Sequence, residues 1–209
     1  MTYNRKDHFY AKAKAEGFRS RAAYKLMELD TKYKLLRPGK SVLDLGCWPG
    51  GWTQVAAKKV GPSGKVVGVD LTRCDPLPYP QVSLIEGDAR DDETIREALS
   101  QVGGKFDLII SDMSPKHTGI KEVDQAGTAQ VVELAYWVGS QILKPGGALL
   151  VKAFPSGDLD RFIPELRGAF SKFHRIVLKS TRKSSKEFYI CCVGFKGAPL
   201  QAESEVVAP

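Results

Sequence analysis

The chain has 209 residues, of which 43% are hydrophobic and 26% are charged, a length and composition that suit one soluble globular domain with a full core. No run of about 18 apolar residues is present, which argues against a membrane span, and the polar, basic N-terminus lacks the apolar centre of a secretory signal. The four cysteines show neither CxxC pairs nor metal-ligand spacing, so we interpret them as reduced thiols of a cytoplasmic protein without a metal site.

The net charge of +7 lies in the first part of the chain. Residues 1–40 hold eleven Lys or Arg and four Asp or Glu, whereas the remaining residues hold twenty of each sign. A concentrated cationic surface favours a polyanion such as nucleic acid, because neutralised phosphates release their counterions. A solvated basic helix would show the same pattern, so the charge alone leaves both interpretations open.

Helix-like and strand-like segments alternate along the chain. The predicted helices are 20–34, 52–60, 92–102, 126–143 and 159–170, and the predicted strands are 41–46, 65–71, 82–88, 106–113, 147–154, 174–179 and 188–195. Most of the strands are continuous apolar runs, which is typical of strands buried on both faces. The alternation predicts an α/β fold with a seven-stranded, mostly parallel sheet. The loop 180–187 has no room for a helix, so the last two strands are predicted to form an antiparallel hairpin.

Charged residues stand at the ends of five consecutive predicted strands. They are Asp44, Asp70, Asp88, Asp112 and Lys152. Ligands of open α/β sheets bind outside the carboxyl ends of the strands, near the point where the strand order reverses. These five positions are therefore the first candidates for a binding site.

A glycine-rich loop, 46-GCWPGG-51, follows the first predicted strand. It matches neither the phosphate-binding GxxxxGK[ST] pattern nor a clean GxGxxG. Asp70, at the end of the next strand, is placed to bind ribose hydroxyls, and Asp88 is placed to meet an adenine edge. The loop has no basic residue and Asp44 is near, which favours a ligand with a positive centre, S-adenosylmethionine. The alternative is that these acids only cap the following helices.

The chain resembles the FtsJ/RrmJ-like ribosomal RNA large-subunit 2′-O-methyltransferase family. The segments that carry the resemblance are 19-RSRAAYKL-26, 42-VLDLGCWPGGWTQV-55, 69-VDL-71, 86-EGDARD-91, 109-IISDMSP-115, 149-LLVKAF-154 and 183-KSSKEFYI-190. The resemblance implies a Rossmann-like class I S-adenosylmethionine-dependent methyltransferase domain at residues 18–196. A basic N-terminal arm at 1–17 and a flexible tail at 197–209 would flank it.

The resemblance also implies the site residues. The Lys-Asp-Lys-Glu tetrad of the family falls on Lys25, Asp112, Lys152 and Glu187, and the cofactor-binding positions fall on Gly46, Gly50, Trp52, Asp70, Asp88 and Asp112. Two positions depart from the family pattern. Trp48 stands where the family often has alanine, and Lys116 stands where it often has asparagine.

Transfer of a methyl group to a ribose hydroxyl needs a group that takes the hydroxyl proton. His8, His117 and His174 lie outside the set of strand ends, although His117 lies near Asp112 in the sequence. Among the tetrad residues that the resemblance implies, we predict that Lys152 is the base. A lysine is ordinarily protonated at neutral pH, and a protonated Lys152 would instead orient the hydroxyl and stabilise developing negative charge. Each of the other three tetrad residues also has a purely structural interpretation when taken alone. Lys25 would suit the solvated face of a helix, Asp112 a helix cap, and Glu187 a charge on an edge strand. Lys152 interrupts an apolar run, where an unpaired lysine is costly.

The predicted function is methylation of a ribose 2′-hydroxyl, most simply of a uridine in 23S-type ribosomal RNA, by a cytoplasmic monomer whose partner is the large ribosomal subunit. The alternatives are the same chemistry on a tRNA anticodon loop or an mRNA cap, a non-catalytic RNA-binding assembly factor, and a small-molecule methyltransferase. The basic residues Lys179, Arg182, Lys183 and Lys186, and the aromatic residues Tyr3, Phe9, Tyr10 and Phe18, are candidates for RNA contact.

Overall fold

A computed structural model of the protein describes residues 8–115, 121–181 and 185–197. Several predictions made above fall outside the described residues: Tyr3 and most of the basic arm, Lys116, His117, Arg182, Lys183 and nearly all of the tail. Within the described ranges, no helix is both long and apolar enough to cross a membrane. The same ranges contain no cluster of three or more His, Cys, Asp or Glu residues that could hold a metal ion.

The described part of the chain forms six helices and seven strands. The helices are α1 (His8–Ala15), α2 (Ala23–Tyr33), α3 (Gly51–Val60), α4 (Asp92–Val102), α5 (Lys121–Ile142) and α6 (Gly157–Ala169). The strands are β1 (Ser41–Leu45), β2 (Lys65–Asp70), β3 (Val82–Glu86), β4 (Phe106–Ser111), β5 (Leu143–Ala153), β6 (Phe170–Ile176) and β7 (Phe188–Phe195).

The strands form one sheet in the order β3-β2-β1-β4-β5-β7-β6. The pairs among β1 to β5 are parallel, whereas β7 runs antiparallel to both β5 and β6. The predicted α/β class, the mostly parallel sheet and the C-terminal hairpin are therefore confirmed. The chain moves outward from β1 to β3 and resumes at β4 on the other side of β1. The strand order thus reverses between β1 and β4, the position where such sheets bind ligands.

An apolar layer covers each face of the sheet. Along β4, Ile109 packs in the layer that contains α4, α5 and α6, whereas Leu108 and Ile110 pack in the layer that contains α2 and α3. All five residues of β1 are buried. Burial on both faces explains why these strands are continuous apolar runs, because neither set of alternating side chains faces water.

The start of β5 differs from the prediction. The sequence places the strand start at residue 147, after a Pro-Gly turn signal, but β5 begins at Leu143, which is fully buried and pairs with Phe106. The register then shifts so that Ala148 pairs with Leu108. The proline and glycines therefore form an irregularity within the strand, where Gly146 adopts a φ of 80°.

Two other elements were not predicted correctly. Residues His8–Ala15 form a helix inside the segment interpreted as an arm, and Ala13 of this helix is buried. The strand β6 begins at Phe170 rather than at residue 174, directly after α6. It is one of the two edge strands of the sheet and carries exposed polar residues at several positions, so it lacks the continuous apolar run that marks the inner strands.

Candidate active site

The four residues of the predicted tetrad form two ion pairs. Lys25 Nζ lies 2.5 Å from Glu187 Oε1, and Lys152 Nζ lies 3.2 Å from Asp112 Oδ1. Lys152 Nζ also donates a hydrogen bond of 2.5 Å to the backbone carbonyl of Asp112. Lys25 comes from α2, Asp112 follows β4, Lys152 lies in β5 and Glu187 precedes β7, so these pairs join distant parts of the chain.

Tyr189 links the two pairs, and the sequence reasoning missed it. In the antiparallel pairing of β5 and β7, Tyr189 stands opposite Lys152. Its hydroxyl donates a 2.7 Å hydrogen bond to Asp112 Oδ1, and its ring centre lies 5.8 Å from Lys25 Nζ. The only signal in the sequence is the position of Tyr189 two residues after Glu187, which gains meaning once the pairing with β5 is known.

Both lysines are almost enclosed by protein. Lys25 is 9% exposed and Lys152 is 7% exposed. Lys25 lies on the inner face of α2, which Leu26 and Leu29 anchor against the sheet. A buried ammonium is costly unless a carboxylate pairs with it. The pairing of each lysine with one carboxylate therefore accounts for how two lysines are held within an otherwise apolar wall.

The electrostatic surroundings shift the pKa values of Glu187 and Tyr189 in this cluster. Burial opposes the charge on Glu187, but the Lys25 ammonium and the Thr181 hydroxyl, 3.1 Å from Glu187 Oε1, outweigh it and hold the pKa of that carboxyl below its ordinary value. Burial, and then the negative charge of Asp112, raise the pKa of the Tyr189 phenol well above its usual range. Tyr189 thus stays a hydrogen-bond donor toward Asp112 at neutral pH.

A cavity of about 1340 Å³ opens beside Asp112 at the carboxyl edge of the sheet. Its walls come from the ends of β1, β2 and β4, from residues 87–90 and from one face of α5. Of the predicted cofactor-binding residues, Gly46, Asp70, Asp88 and Asp112 line it. Asp112 therefore belongs both to the ion-pair cluster and to the cavity, which places the two next to each other.

Gly50 and Trp52 are not among the residues that line this cavity. Gly50 precedes α3 with a φ of 108°, and a Cβ there would lie 3.2 Å from the side chain of Arg19. Trp52 is 3% exposed, its Nε1 donates 2.8 Å to the carbonyl of Ala22, and its ring lies 5.8 Å from that of Tyr189. The structure thus places Trp52 behind the ion-pair cluster, where it packs α2 against the sheet.

Arg19 fastens the loop before α3 to the chain that follows β2. Its guanidinium donates to the carbonyls of Pro49 at 3.3 Å, Asp75 at 2.6 Å and Pro76 at 2.6 Å. Gly46, on the cavity side of the same loop, has a φ of 72°, and a Cβ there would overlap Met113. The glycines of the opening loop are therefore required by close approach of neighbouring chain as well as by backbone conformation.

The two acids expected to bind an adenosine carry hydrogen bonds of their own. Asp70 accepts the backbone N–H of Trp48 at 2.9 Å and that of Thr72 at 2.8 Å. Asp88 forms an ion pair with Arg90, which is 71% exposed and also lines the cavity. The alternative interpretation of Asp88 as a helix cap is not what the structure shows, because α4 begins at Asp92 with Asp91 at its N-cap.

Acidic side chains outnumber basic ones along the walls of the cavity, where Asp70, Asp88, Asp112 and Glu133 stand against Arg90. Burial is the main cause that raises the pKa of Asp44 to about 7, and the charges of Asp112 and Asp70 raise it further, against a 2.7 Å hydrogen bond from the Thr53 hydroxyl. Asp70 and Asp112 both line the cavity, and their negative charges act on the buried Asp44. A cationic ligand is favoured next to such a set, and an anionic one is disfavoured.

Comparisons with known proteins identify the family. Residues 18–195 match the model of the family described as FtsJ-like methyltransferase. The chain belongs to this family. A protein of Methanothermobacter thermautotrophicus named ribosomal RNA large subunit methyltransferase E is 44% identical over 92% of this chain and 92% of its own. One of Pseudomonas fluorescens with the same name is 40% identical over 91% of both chains.

Solved structures agree with the FtsJ-like assignment. The crystal structure of a putative ribosomal RNA methyltransferase from Plasmodium falciparum superimposes with a TM-score of 0.73 at 32% identity, covering 86% of this chain and all of that one. Fibrillarin from Aeropyrum pernix, solved with bound S-adenosyl-L-methionine, gives a TM-score of 0.58 at 20% identity, covering 84% of this chain and 75% of fibrillarin, and shares the fold. The ion-pair cluster and the cavity both lie within the residues that match the FtsJ-like family.

Replacing Asp44 by asparagine in this FtsJ-like methyltransferase is expected to change how stability depends on pH. The pKa of Asp44 is about 7 in the folded protein and near 3.8 in the unfolded chain. Protonation of Asp44 therefore favours the folded state at acid pH, and this contribution is lost as the pH rises toward 7. We expect the unfolding free energy of Asp44→Asn relative to the wild type to increase by about 3 kcal/mol between pH 5 and pH 8. Urea denaturation at each pH measures it, and a difference that stays constant contradicts the raised pKa.

Proposed function

We propose that the protein is an S-adenosylmethionine-dependent methyltransferase that modifies a ribose 2′-hydroxyl in large-subunit ribosomal RNA. The observation that carries the proposal is the pairing of Lys152 with Asp112 at the mouth of an acidic cavity, with Lys25 and Glu187 beside it. The acidic side chains of the cavity suit a cationic methyl donor, and the lysines of the ion-pair cluster present amines to a hydroxyl. The names of the relatives point to ribosomal RNA of the large subunit as the substrate.

The cavity fits S-adenosylmethionine. Its volume of about 1340 Å³ exceeds what a cofactor of this size needs, which leaves room for a substrate group. Asp70 would hold the ribose hydroxyls, the backbone at Gly46 would approach the ligand, and Asp88 would accept from the adenine amine. The carboxyl groups that raise the pKa of Asp44 favour the two positive charges of the ligand. When bound, this cofactor supplies a methyl group activated by a positively charged sulfur.

The protein's own residues prepare the hydroxyl. Lys152 Nζ directs two of its positions to the backbone carbonyl and the carboxylate of Asp112. Tyr189 fixes that carboxylate from the other side. We propose that Lys152 Nζ is the base: the ammonium of the ion pair must first release a proton, and the neutral amine, held by the same two oxygens, then has a lone pair for the 2′-hydroxyl proton. Lys25, oriented by Glu187, would hold the ribose and stabilise the negative charge that develops on its oxygen.

Trp48, one of the two departures from the family pattern, is expected to strengthen cofactor binding. Its side chain is 57% exposed and it lines the cavity, and its backbone N–H donates a hydrogen bond to Asp70 Oδ2. Stacking of an aromatic ring on a base contributes about 1–3 kcal/mol. We therefore expect Trp48→Ala to raise the Kd for S-adenosylmethionine about tenfold, as measured by calorimetry, with Trp48→Phe close to the wild type. Trp137→Ala, at another wall of the same cavity, serves as the control. An unchanged Kd for Trp48→Ala contradicts a stacking role.

The finer assignments are that the target is a uridine and that the enzyme acts as a cytoplasmic monomer. To test the function, purified protein is incubated with labelled S-adenosylmethionine and, separately, with ribosomal RNA, large ribosomal subunits and tRNA. The labelled nucleotide is then mapped and its 2′-O-methyl group identified. Label in large-subunit RNA, as free RNA or in the particle, and none with Lys152→Ala supports the proposal. Label only in tRNA contradicts the ribosomal assignment, and label on a base contradicts the chemistry.

A further inference from the structure

A second groove lies beside α2, which belongs to the basic first part of the chain, residues 1–40. It runs between α2 and the chain that follows β6, residues 177–180, and has a volume of about 500 Å³. Within the described residues it shares no lining residue with the larger cavity. Its volume lies in the range of pockets that hold small ligands.

The walls of the groove combine apolar, aromatic and cationic side chains. Tyr24 and Tyr33 of α2 line it together with Val177 and Leu178, and Val177 is 74% exposed. Lys32 of α2 and Lys179 stand at the rim, and both are exposed. Aromatic and apolar walls with a cationic rim suit a ligand that has a flat apolar part and a phosphate, as a nucleotide has.

The groove is preorganised by one glutamate. Glu28 of α2 accepts the backbone N–H of Lys179 at 2.8 Å through Oε1 and that of Ser180 at 3.1 Å through Oε2. Arg21 donates 3.2 Å to the carbonyl of Ser180. These contacts hold the segment against α2, and they engage both oxygens of the one carboxylate in the groove.

The hydroxyl of Ser180 has no partner. Ser180 lines the groove and is 8% exposed, and its Oγ is the one buried side-chain polar atom without a hydrogen bond among the residues that the structure describes. An unpaired buried hydroxyl costs free energy, which a polar group of a ligand would recover. The Oγ atom is itself buried, so a ligand in the groove would reach it after rotation about the Cα–Cβ bond to another staggered position.

The groove adjoins the ion-pair cluster along two parts of the chain. Tyr24 precedes Lys25, and Thr181, which follows Ser180, donates to Glu187. Lys32 lies seven residues after Lys25 on the same face of α2, which corresponds to about 10 Å along the helix. That distance is the reach of a neighbouring nucleotide, not of the ribose at Lys25 itself.

We propose that this groove binds the unpaired base of a nucleotide that flanks the target ribose in the RNA, an inference that rests on the function proposed above. The base packs against Tyr24, Tyr33 and Val177, the Ser180 hydroxyl bonds its polar edge, and Lys32 and Lys179 contact the adjoining phosphates. An RNA occupant is favoured over a protein because residues 1–40 carry a surplus of seven positive charges. In the groove itself, the two lysines Lys32 and Lys179 outnumber the single carboxylate of Glu28.

The test pairs protein variants with altered RNA. The substrate is an RNA fragment containing the mapped methylation site, made intact or with one flanking nucleotide lacking its base. For the wild type, we expect loss of one particular flanking base to raise KM about tenfold. Val177→Glu and Ser180→Ala are expected to raise KM for intact RNA and to retain the wild-type kcat. For these variants, removal of that base should raise KM little further. Because Ser180 Oγ has no partner, Ser180→Ala should keep the wild-type melting temperature.

A matched pair of lysine variants controls for general charge. Lys179→Ala is expected to raise KM, whereas Lys65→Ala, which removes an exposed lysine at the amino end of β2, is not. The proposal is overturned if removal of the base raises KM of the variants by as much as it raises KM of the wild type. It is also overturned if the variants have a lower kcat at constant KM. If the variants raise KM only for assembled large subunits and not for the RNA fragment, the groove contacts a protein and the proposal is wrong. If the wild type methylates no RNA, the proposed function fails and this inference falls with it.

Discussion

Replacing Lys152 by alanine is expected to lower kcat/KM for methyl transfer by about a thousandfold, within the range by which general acid–base groups accelerate reactions. The variant removes the amine 3.2 Å from Asp112 Oδ1 and leaves the walls of the cofactor cavity in place, because Lys152 does not line it. Single-turnover transfer to RNA measures the loss, and the Kd for S-adenosylmethionine should stay close to that of the wild type.

Lys144→Ala is the matched control for this prediction. Lys144 lies at the amino end of the same strand and pairs with Asp107 at 2.9 Å. Without Lys144, Asp107 keeps Lys40 as a second partner. We expect its kcat/KM to equal that of the wild type. A tenfold or smaller loss for Lys152→Ala contradicts Lys152 as the base. A pH–rate profile without an ionisation between about pH 6 and pH 9 also contradicts it.

Replacing Glu187 by glutamine is expected to lower the unfolding free energy by about 3 kcal/mol, because it leaves the Lys25 ammonium buried without a carboxylate. The two side chains are only 11% and 10% exposed. Since the pKa of Glu187 lies below its ordinary value, the contribution of the pair is present at neutral pH and is lost on acidification through the folded-state pKa. Urea denaturation near pH 7 measures the loss.

A double variant separates stability from catalysis in this pair. Lys25→Met combined with Glu187→Gln removes both charges, and replacing a buried ion pair by neutral groups is often close to neutral for stability. We expect the double variant to regain most of the unfolding free energy that Glu187→Gln loses, while methyl transfer stays impaired. Additive losses of stability contradict the direct pair, and full activity of the double variant contradicts a catalytic role for it.

The sequence predicted most of the fold because local patterns carry it. The inner strands are buried on both faces, so they are continuous apolar runs, and their ends are marked by charged residues such as Asp70 and Lys152. The edge strand β6 and the irregular start of β5 were placed wrongly. In both, pairing with a neighbouring strand decides the boundary, and such pairing leaves little trace in the local sequence.

The candidate site was predicted in part, and the reason differs between residues. Lys152 stood out because a lysine inside an apolar run needs a partner. Lys25 and Glu187 look ordinary alone, and only the family resemblance singled them out before the structure showed them in contact. Trp52 was expected at the cofactor, whereas the structure packs it between α2 and Tyr189, and direct contact with the cofactor stays a prediction.

The sequence by itself determined the α/β class, the glycine loop and the charged strand ends, because each follows from the order of residues within one element. Only the tertiary structure decided which amine meets which carboxylate, that Tyr189 bonds Asp112, and that the Ser180 hydroxyl lies unpaired in a groove beside α2. Those contacts join residues far apart in the chain, and their distances depend on how helices pack on the sheet, which no local pattern specifies.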